Sequence, residues 1–192
     1  MVALRGALVV AAVAIGCGGD PPAGGPDAAA GPDGGATCDG ACRTTAVTAH
    51  FGATTRTLDR AAYGVTAIAG QAPTLHVEAY RGGAAGCPTA SSPTPDYTLV
   101  VELPVPAGAA PLAADASVLD LVGDLLGGPL GASATAATAA PVAIDVCPAC
   151  VGQPAPADPD GVVALDLDAT FAAGTMAGHL FAPHCDSLDA TQ

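Results

Sequence analysis

The chain has 192 residues, among them 46 alanines, 25 glycines and 18 prolines, with no lysine, asparagine or tryptophan; five arginines face 18 acids, for a formal charge of −13. The absence of lysine excludes a phosphate-binding P-loop, a Schiff-base enzyme and a protein kinase, each of which works through a lysine amine. So few cations cannot displace the counterions of a polyanion, which excludes nucleic acid as a partner.

Residues 1–5 carry one cationic side chain plus the terminal amine, and residues 7–15 form an unbroken apolar run. A bilayer-spanning helix needs about 20 such residues. The run is too short for that and has the length of a signal-peptide core, with small residues after it. The segment Ala14-Ile15-Gly16-Cys17 resembles the lipobox of bacterial lipoproteins. The resemblance implies cleavage between Gly16 and Cys17 and a diacylglycerol on the Cys17 thiol. The family usually carries leucine where this chain has Ala14, and an Ala-x-Gly end also suits ordinary signal peptidase, which would cut the same bond. On either route residues 1–16 are a signal peptide and the mature chain starts at Cys17. Gly18, not aspartate, follows the cysteine, which by the enteric sorting rule implies the outer membrane. The resemblance thus implies a lipid-anchored protein of the cell envelope, facing the periplasm or the cell surface, with the membrane as a partner.

Residues 18–37 contain only Gly, Pro, Ala, Asp, Thr and the Pro-Asp pairs at Pro26 and Pro32, with no large apolar side chain. Such a stretch cannot bury enough surface to offset its ordering, so residues 17–37 read as an anchored, disordered tether. A folded domain is expected over residues 38–189, with residues 190–192 as a tail. From Cys38 onward there are 36 larger apolar residues (Val, Ile, Leu, Met, Phe, Tyr). Each is worth roughly 1.5–3 kcal/mol when fully buried, a sum that suits one domain. Ordering the chain costs a comparable amount, so covalent crosslinks matter.

The seven cysteines are Cys17, Cys38, Cys42, Cys87, Cys147, Cys150 and Cys185. An odd number is awkward in an exported protein, and lipidation of Cys17 leaves six for three disulfides. Cys87 and Cys185 both border expected strands and are paired here. Cys38-x3-Cys42 and Cys147-x2-Cys150 close locally or bridge each other. Cys147-Pro148-Ala149-Cys150 has the spacing of a thiol–disulfide oxidoreductase, but such a site begins a helix, and three prolines follow Cys150 within nine residues. The two close pairs also have the spacing of a four-thiolate zinc site; an oxidising compartment favours structural disulfides instead.

Between Cys38 and the C-terminus short apolar runs alternate with Gly, Pro and Asp, the pattern of an all-β domain. Strands are expected at residues 44–51, 62–69, 74–81, 97–105, 117–125, 142–146, 161–171 and 175–182. Leu75, Val77 and Ala79 alternate with His76, Glu78 and Tyr80; Tyr97, Leu99, Val101 and Leu103 and then Val163, Leu165, Leu167 and Ala169 alternate with their neighbours in the same way. Each such strand packs one face inward and wets the other. Ala172-Ala173-Gly174 suits a tight hairpin. These eight short strands point to an antiparallel β-sandwich stapled by disulfides. The segment 117–126 also fits an amphipathic helix; strand is preferred because its neighbours are strands. Residues 131–140 read as loop or weak strand. The tail of the domain, Gly174 to Cys185 in sequence, resembles closing strands of uncharacterised bacterial lipoproteins of sandwich type, which implies a fold and no activity.

Chemistry-bearing constellations are sparse. No nucleophile elbow is present. Glu78 and Glu102 are the only glutamates; on outward faces of adjacent strands they have the residue types of a glycosidase pair. His179, His184 and Cys185 are close in sequence, with zinc-ligand chemistry but opposed faces. Asp158-Pro-Asp160-Gly161, with Asp166 and Asp168 beyond, has the acidity of a calcium loop, yet Pro156 and Leu167 stand where an EF-hand needs acids. These four aspartates are weak metal candidates, and an acidic turn accounts for them as well. The expectation from sequence is therefore a non-catalytic, lipid-anchored sandwich without a cofactor, binding a protein or small molecule or serving structure. A secreted enzyme or a weak calcium module is the alternative.

Overall fold

A computed structural model describes residues 38–148, 151 and 161–191. The signal, anchor and tether expectations, together with Cys150, Asp158 and Asp160, lie outside the described residues. Strands form where large apolar side chains recur every second residue, because successive side chains point to opposite faces. They are β1 (Ala46–Phe51), β2 (Thr54–Leu58), β3 (Arg60–Ala67), β4 (Thr74–Gly82), β5 (Pro95–Pro104), β6 (Leu112–Ala113), β7 (Asp115–Asp120), β8 (Gly131–Asp145), β9 (Val162–Phe171), β10 (Gly174–Pro183) and β11 (Ala190–Thr191). No α-helix occurs among the described residues, only short 3-10 turns such as Gly40–Arg43 and Asp186–Leu188. No described helix is long and apolar enough to cross a membrane.

The strands form one sheet in the order β11-β3-β4-β5-β7-β8-β9-β10-β1-β2, with β6 also on β8. Every pairing between these strands is antiparallel except β11 with β3. The sheet doubles over at β8. Its first residues pair with β7 (Ser117 with Ser133, Leu119 with Gly131), and from Ala134 onward it pairs with β9. The halves then face each other, with β10 against β3 and β4 and β2 against β4. Leu75, Val77, Leu99 and Val101 from one half and Val163, Leu165, Met176 and Leu180 from the other are all 0 % exposed within a single core. This is the expected all-β antiparallel class, a sandwich folded from one continuous sheet.

Among the described residues there are eleven strands rather than eight. β2 escaped the hydrophobic pattern because Leu58 alone of its side chains is buried, and β6 and β11 are two residues each. The tail is accordingly not free, since Ala190 and Thr191 pair with Thr66 and Ala67. Residues 131–140 are strand, and of the expected 142–146 strand residues 142–145 are the end of it, with Val146 beyond. A Gly/Ala/Ser/Thr run carries little hydrophobic signal, but it is held by partners on both sides, with register shifts at Ala134/Ala136 and Pro141/Ala143. Pro141 sits at one of those shifts, where a missing N–H is tolerated in an interior strand.

Two disulfides are fully described. One joins Cys87 to Cys185, the pair named from the sequence, and one closes Cys38 to Cys42 locally. Cys147 is disulfide-bonded as well. Near the first bridge the Cys185 N–H donates to the Tyr63 carbonyl at 2.8 Å, and Tyr63 bridges His184. Gly64 leaves room there for the Leu188 backbone, which any Cβ would meet.

Candidate functional site

The densest set of chemistry-bearing side chains lies on the outward face of β4 and β5. Because Leu75, Val77 and Ala79 point into the core, His76, Glu78 and Tyr80 must point out. Register sets Glu102 opposite His76. His76 Nε2 is 2.9 Å from Glu78 Oε1 and Nδ1 is 3.2 Å from Glu102 Oε1. The Tyr80 hydroxyl donates to Glu78 Oε2 at 2.5 Å. Both partners of the imidazole are acceptors, so the two contacts coexist as hydrogen bonds only in the imidazolium form. Hydrogen bonding to Glu78 raises the His76 pKa against the opposing effect of burial. The bonds from His76 and then Tyr80 hold the Glu78 carboxyl below its usual range. Burial, with Glu78 beside it, pushes the Tyr80 hydroxyl up.

Beyond β5 the sheet opens into a shallow depression of about 340 Å³, lined by Glu102, Asp115, Ser117, Ser133 and Thr135 among alanines. It lies where β7 and β8 part, since their pairing stops at Ser117 and Ser133. Glu102 and Asp115 are cross-strand partners, an arrangement of like charges that is unfavourable by itself. The expected glutamate pair therefore does come together, around one histidine. In this arrangement Glu78 and Glu102 both face the one imidazole of His76.

The remaining candidates are dispersed. Asp166 and Asp168 are exposed on β9. Asp166 lies 2.7 Å from His179 Nδ1, and His179 Nε2 lies 2.9 Å from the Cys42 carbonyl. His179 and His184 do not meet, and Cys185 is consumed by its disulfide. The Cys38–Cys42 bond likewise removes two of the thiolates a zinc site would use. Among the described residues, one group of three has metal-ligating side chains together: His184, Asp186 and Asp189. Here His184 presents Nδ1 to Asp186 at 3.5 Å and Nε2 to Asp189 at 3.1 Å. The two carboxylates thus face opposite ring nitrogens, and one ion can take only one of those. Asp189 Oδ1 also accepts the Val65 N–H at 2.8 Å, so the group ties the chain end to β3.

Sequence reasoning missed the β7–β8 loop. Asp120 is 2 % exposed; its carboxylate accepts N–H groups from Gly123 at 2.7 Å, Leu125 at 2.7 Å and Leu126 at 2.8 Å. This ends β7 at Asp120, so the strand expected over 117–125 stops five residues early and the rest is turn. Arg56 on β2 donates to Asp124 Oδ2 at 2.5 Å and to the Tyr97 hydroxyl at 3.0 Å, and that hydroxyl donates to Asp124. Bonds from Tyr97 and then Arg56 lower the Asp124 pKa. The available signal was Asp120 followed by Gly123, a side chain that can cap its own turn. No protein-family model, curated protein or solved structure matches this chain.

Proposed function

We propose that this protein is an exported, lipid-anchored component of a bacterial envelope, in which Cys17 carries the lipid, residues 18–37 act as spacer and the β-sandwich serves binding or structure without catalysis. The observation that carries the reading is the state of the thiols. Every cysteine among the described residues (Cys38, Cys42, Cys87, Cys147 and Cys185) is disulfide-bonded, the chemistry of an oxidising compartment outside the cytosol. Export calls for a leader, and the apolar run before Gly16-Cys17 has the form of one. The outer membrane follows from Gly18 in the lipobox resemblance. The test is Cys17→Ser with fractionation of the cells. The variant is expected in the soluble fraction while the parent pellets with membranes; a variant that still pellets would overturn the anchor.

A further inference from the structure

The first described residues form the Cys38–Cys42 disulfide turn, which lies against β10. None of the residues Gly40–Arg43 is buried, so packing does not fix the turn. Its own hydrogen bonds are local: the Cys42 N–H donates to the Asp39 carbonyl at 3.3 Å, and the Thr44 hydroxyl to the Ala41 carbonyl at 2.7 Å. Firm attachment starts at Thr45, whose hydroxyl donates to the Phe181 carbonyl at 2.9 Å and accepts the Phe181 N–H at 3.0 Å. Among the described residues two side-chain contacts join β10 to the turn. The Arg43 guanidinium lies over the Phe181 ring, 5.4 Å from its centre, and His179 Nε2 lies 2.9 Å from the Cys42 carbonyl oxygen. Arginine is not deprotonated in a protein, whereas an imidazole changes charge between about pH 5 and 8. Only the second contact can therefore respond to pH.

The surroundings of His179 decide which proton it loses. Nδ1 is 2.7 Å from Asp166 Oδ1, and a carboxylate and a carbonyl are both acceptors. The two contacts are hydrogen bonds together only when both ring nitrogens carry protons. A neutral imidazole keeps one proton, and the bond to the ionised acceptor is the stronger. That proton stays on Nδ1, toward Asp166, and Nε2 then sets a lone pair against the Cys42 carbonyl. Among the described residues the charged groups around the ring are Asp166, opposite it on β9, with Asp168 two residues along, and in the turn Arg43, over Phe181, and exposed Asp39. From the other side β1 sets uncharged Ala46 opposite His179, with His50 four residues along the strand. We propose that His179 is a proton-controlled latch. As imidazolium it docks the Cys38–Cys42 turn on β10; on losing its Nε2 proton it releases the turn and lets the chain ahead of Thr45 swing from the domain. The latch is closed at low pH and opens as pH rises through the titration of the imidazole.

The chain lacks tryptophan, so Ala41→Trp, at an exposed position of the turn, places a single emission probe there, and Ala53→Trp, in the exposed β1–β2 turn, is the reference. In the full chain the emission anisotropy at position 41 is expected to fall between about pH 5.5 and 8.5, with no change at position 53. The ratio of docked to free turn should drop about tenfold or more, the worth of one hydrogen bond from a charged donor. Ring-nitrogen NMR shifts are expected to show Nε2 as the atom that loses the proton. His179→Gln is expected to abolish the pH dependence. Asp166→Asn is expected to keep the turn docked at the upper pH, because the new amide donates to Nδ1 and a neutral imidazole then gives its Nε2 proton to the Cys42 carbonyl. This second variant decides the matter even if His179→Gln fails to fold. A constant anisotropy at 41, an equal fall at 53, a fall that survives His179→Gln, a proton lost from Nδ1 instead, or an Asp166→Asn chain that undocks like the parent overturns the inference. None of these readouts depends on what Cys17 carries, so the latch and the lipid anchor fail separately.

Discussion

At Asp120, itself 2 % exposed, one carboxylate answers the backbone N–H groups of Gly123, Leu125 and Leu126. Hydrogen bonds to a buried charge are worth more than neutral ones, and removing the acceptor leaves its donors unmet. Asp120→Ala is expected to cost about 2–3 kcal/mol, read as a lower urea midpoint with an unchanged slope. An unchanged midpoint would mean that the loop reorganises at no cost. The His76–Glu78 pair makes a second prediction, in pH. His76 has its value raised above 6.5, so its contribution is complete below 6.5 and is lost as pH rises through the folded value. Glu78 has its value lowered below 4.5, so its contribution is complete above 4.5 and is lost as pH falls through the folded value. Both are present between about pH 4.5 and 6.5. There His76→Gln is expected to cost up to about 1 kcal/mol, and the difference from the parent should shrink at pH 9 and at pH 3. A pH-independent difference would assign His76 a packing role only.

The strands divide into those the sequence announces and those it does not, and the reason is visible in each. β4, β5 and β9 alternate large apolar with polar residues, and their expected inward faces are the buried ones. β8 does not announce itself. Its Ala, Thr and Ser side chains carry little preference, and its strand state comes from neighbours far away in sequence. The same holds for the site. The convergence of Glu78 and Glu102 was legible from parity, but His76 between them depended on register. The Asp120 loop depended on a carboxylate turning inward, which no period describes. Glycines show the same dependence on context. Gly178 has φ +141°, and a Cβ there would meet the Ala46 carbonyl and come within 3.0 Å of Val47 Cα. Gly178→Val is expected to cost about 3 kcal/mol or more in thermal or urea unfolding. Gly108→Ala, where a Cβ meets nothing within 4 Å, should stay within about 0.5 kcal/mol of the parent. Equal effects at the two positions would contradict the β1–β10 packing.

For the whole molecule, the covalent crosslinks and the small core belong together. Alanine contributes little buried area, and the large apolar residues do little more than offset chain entropy. The Cys87–Cys185 bridge spans 98 residues and Cys38–Cys42 spans 4. On the chain-entropy model the first is worth about 4–5 kcal/mol and the second about 2 kcal/mol. Replacing Cys87 and Cys185 together by alanine should therefore lower stability by about twice as much as replacing Cys38 and Cys42; the reverse order would place the stabilisation elsewhere. Of the seven cysteines, the five among the described residues are disulfide-bonded, and in the proposed reading Cys17 is the lipid attachment point. Intact mass of the protein purified from its native envelope, before and after reduction, addresses this most directly. The account predicts a chain beginning at Cys17, heavier by a diacylglycerol with or without a further acyl chain, that gains six hydrogens on reduction. A first residue with an unmodified thiol, or a chain that still carries residues 1–16, would contradict it.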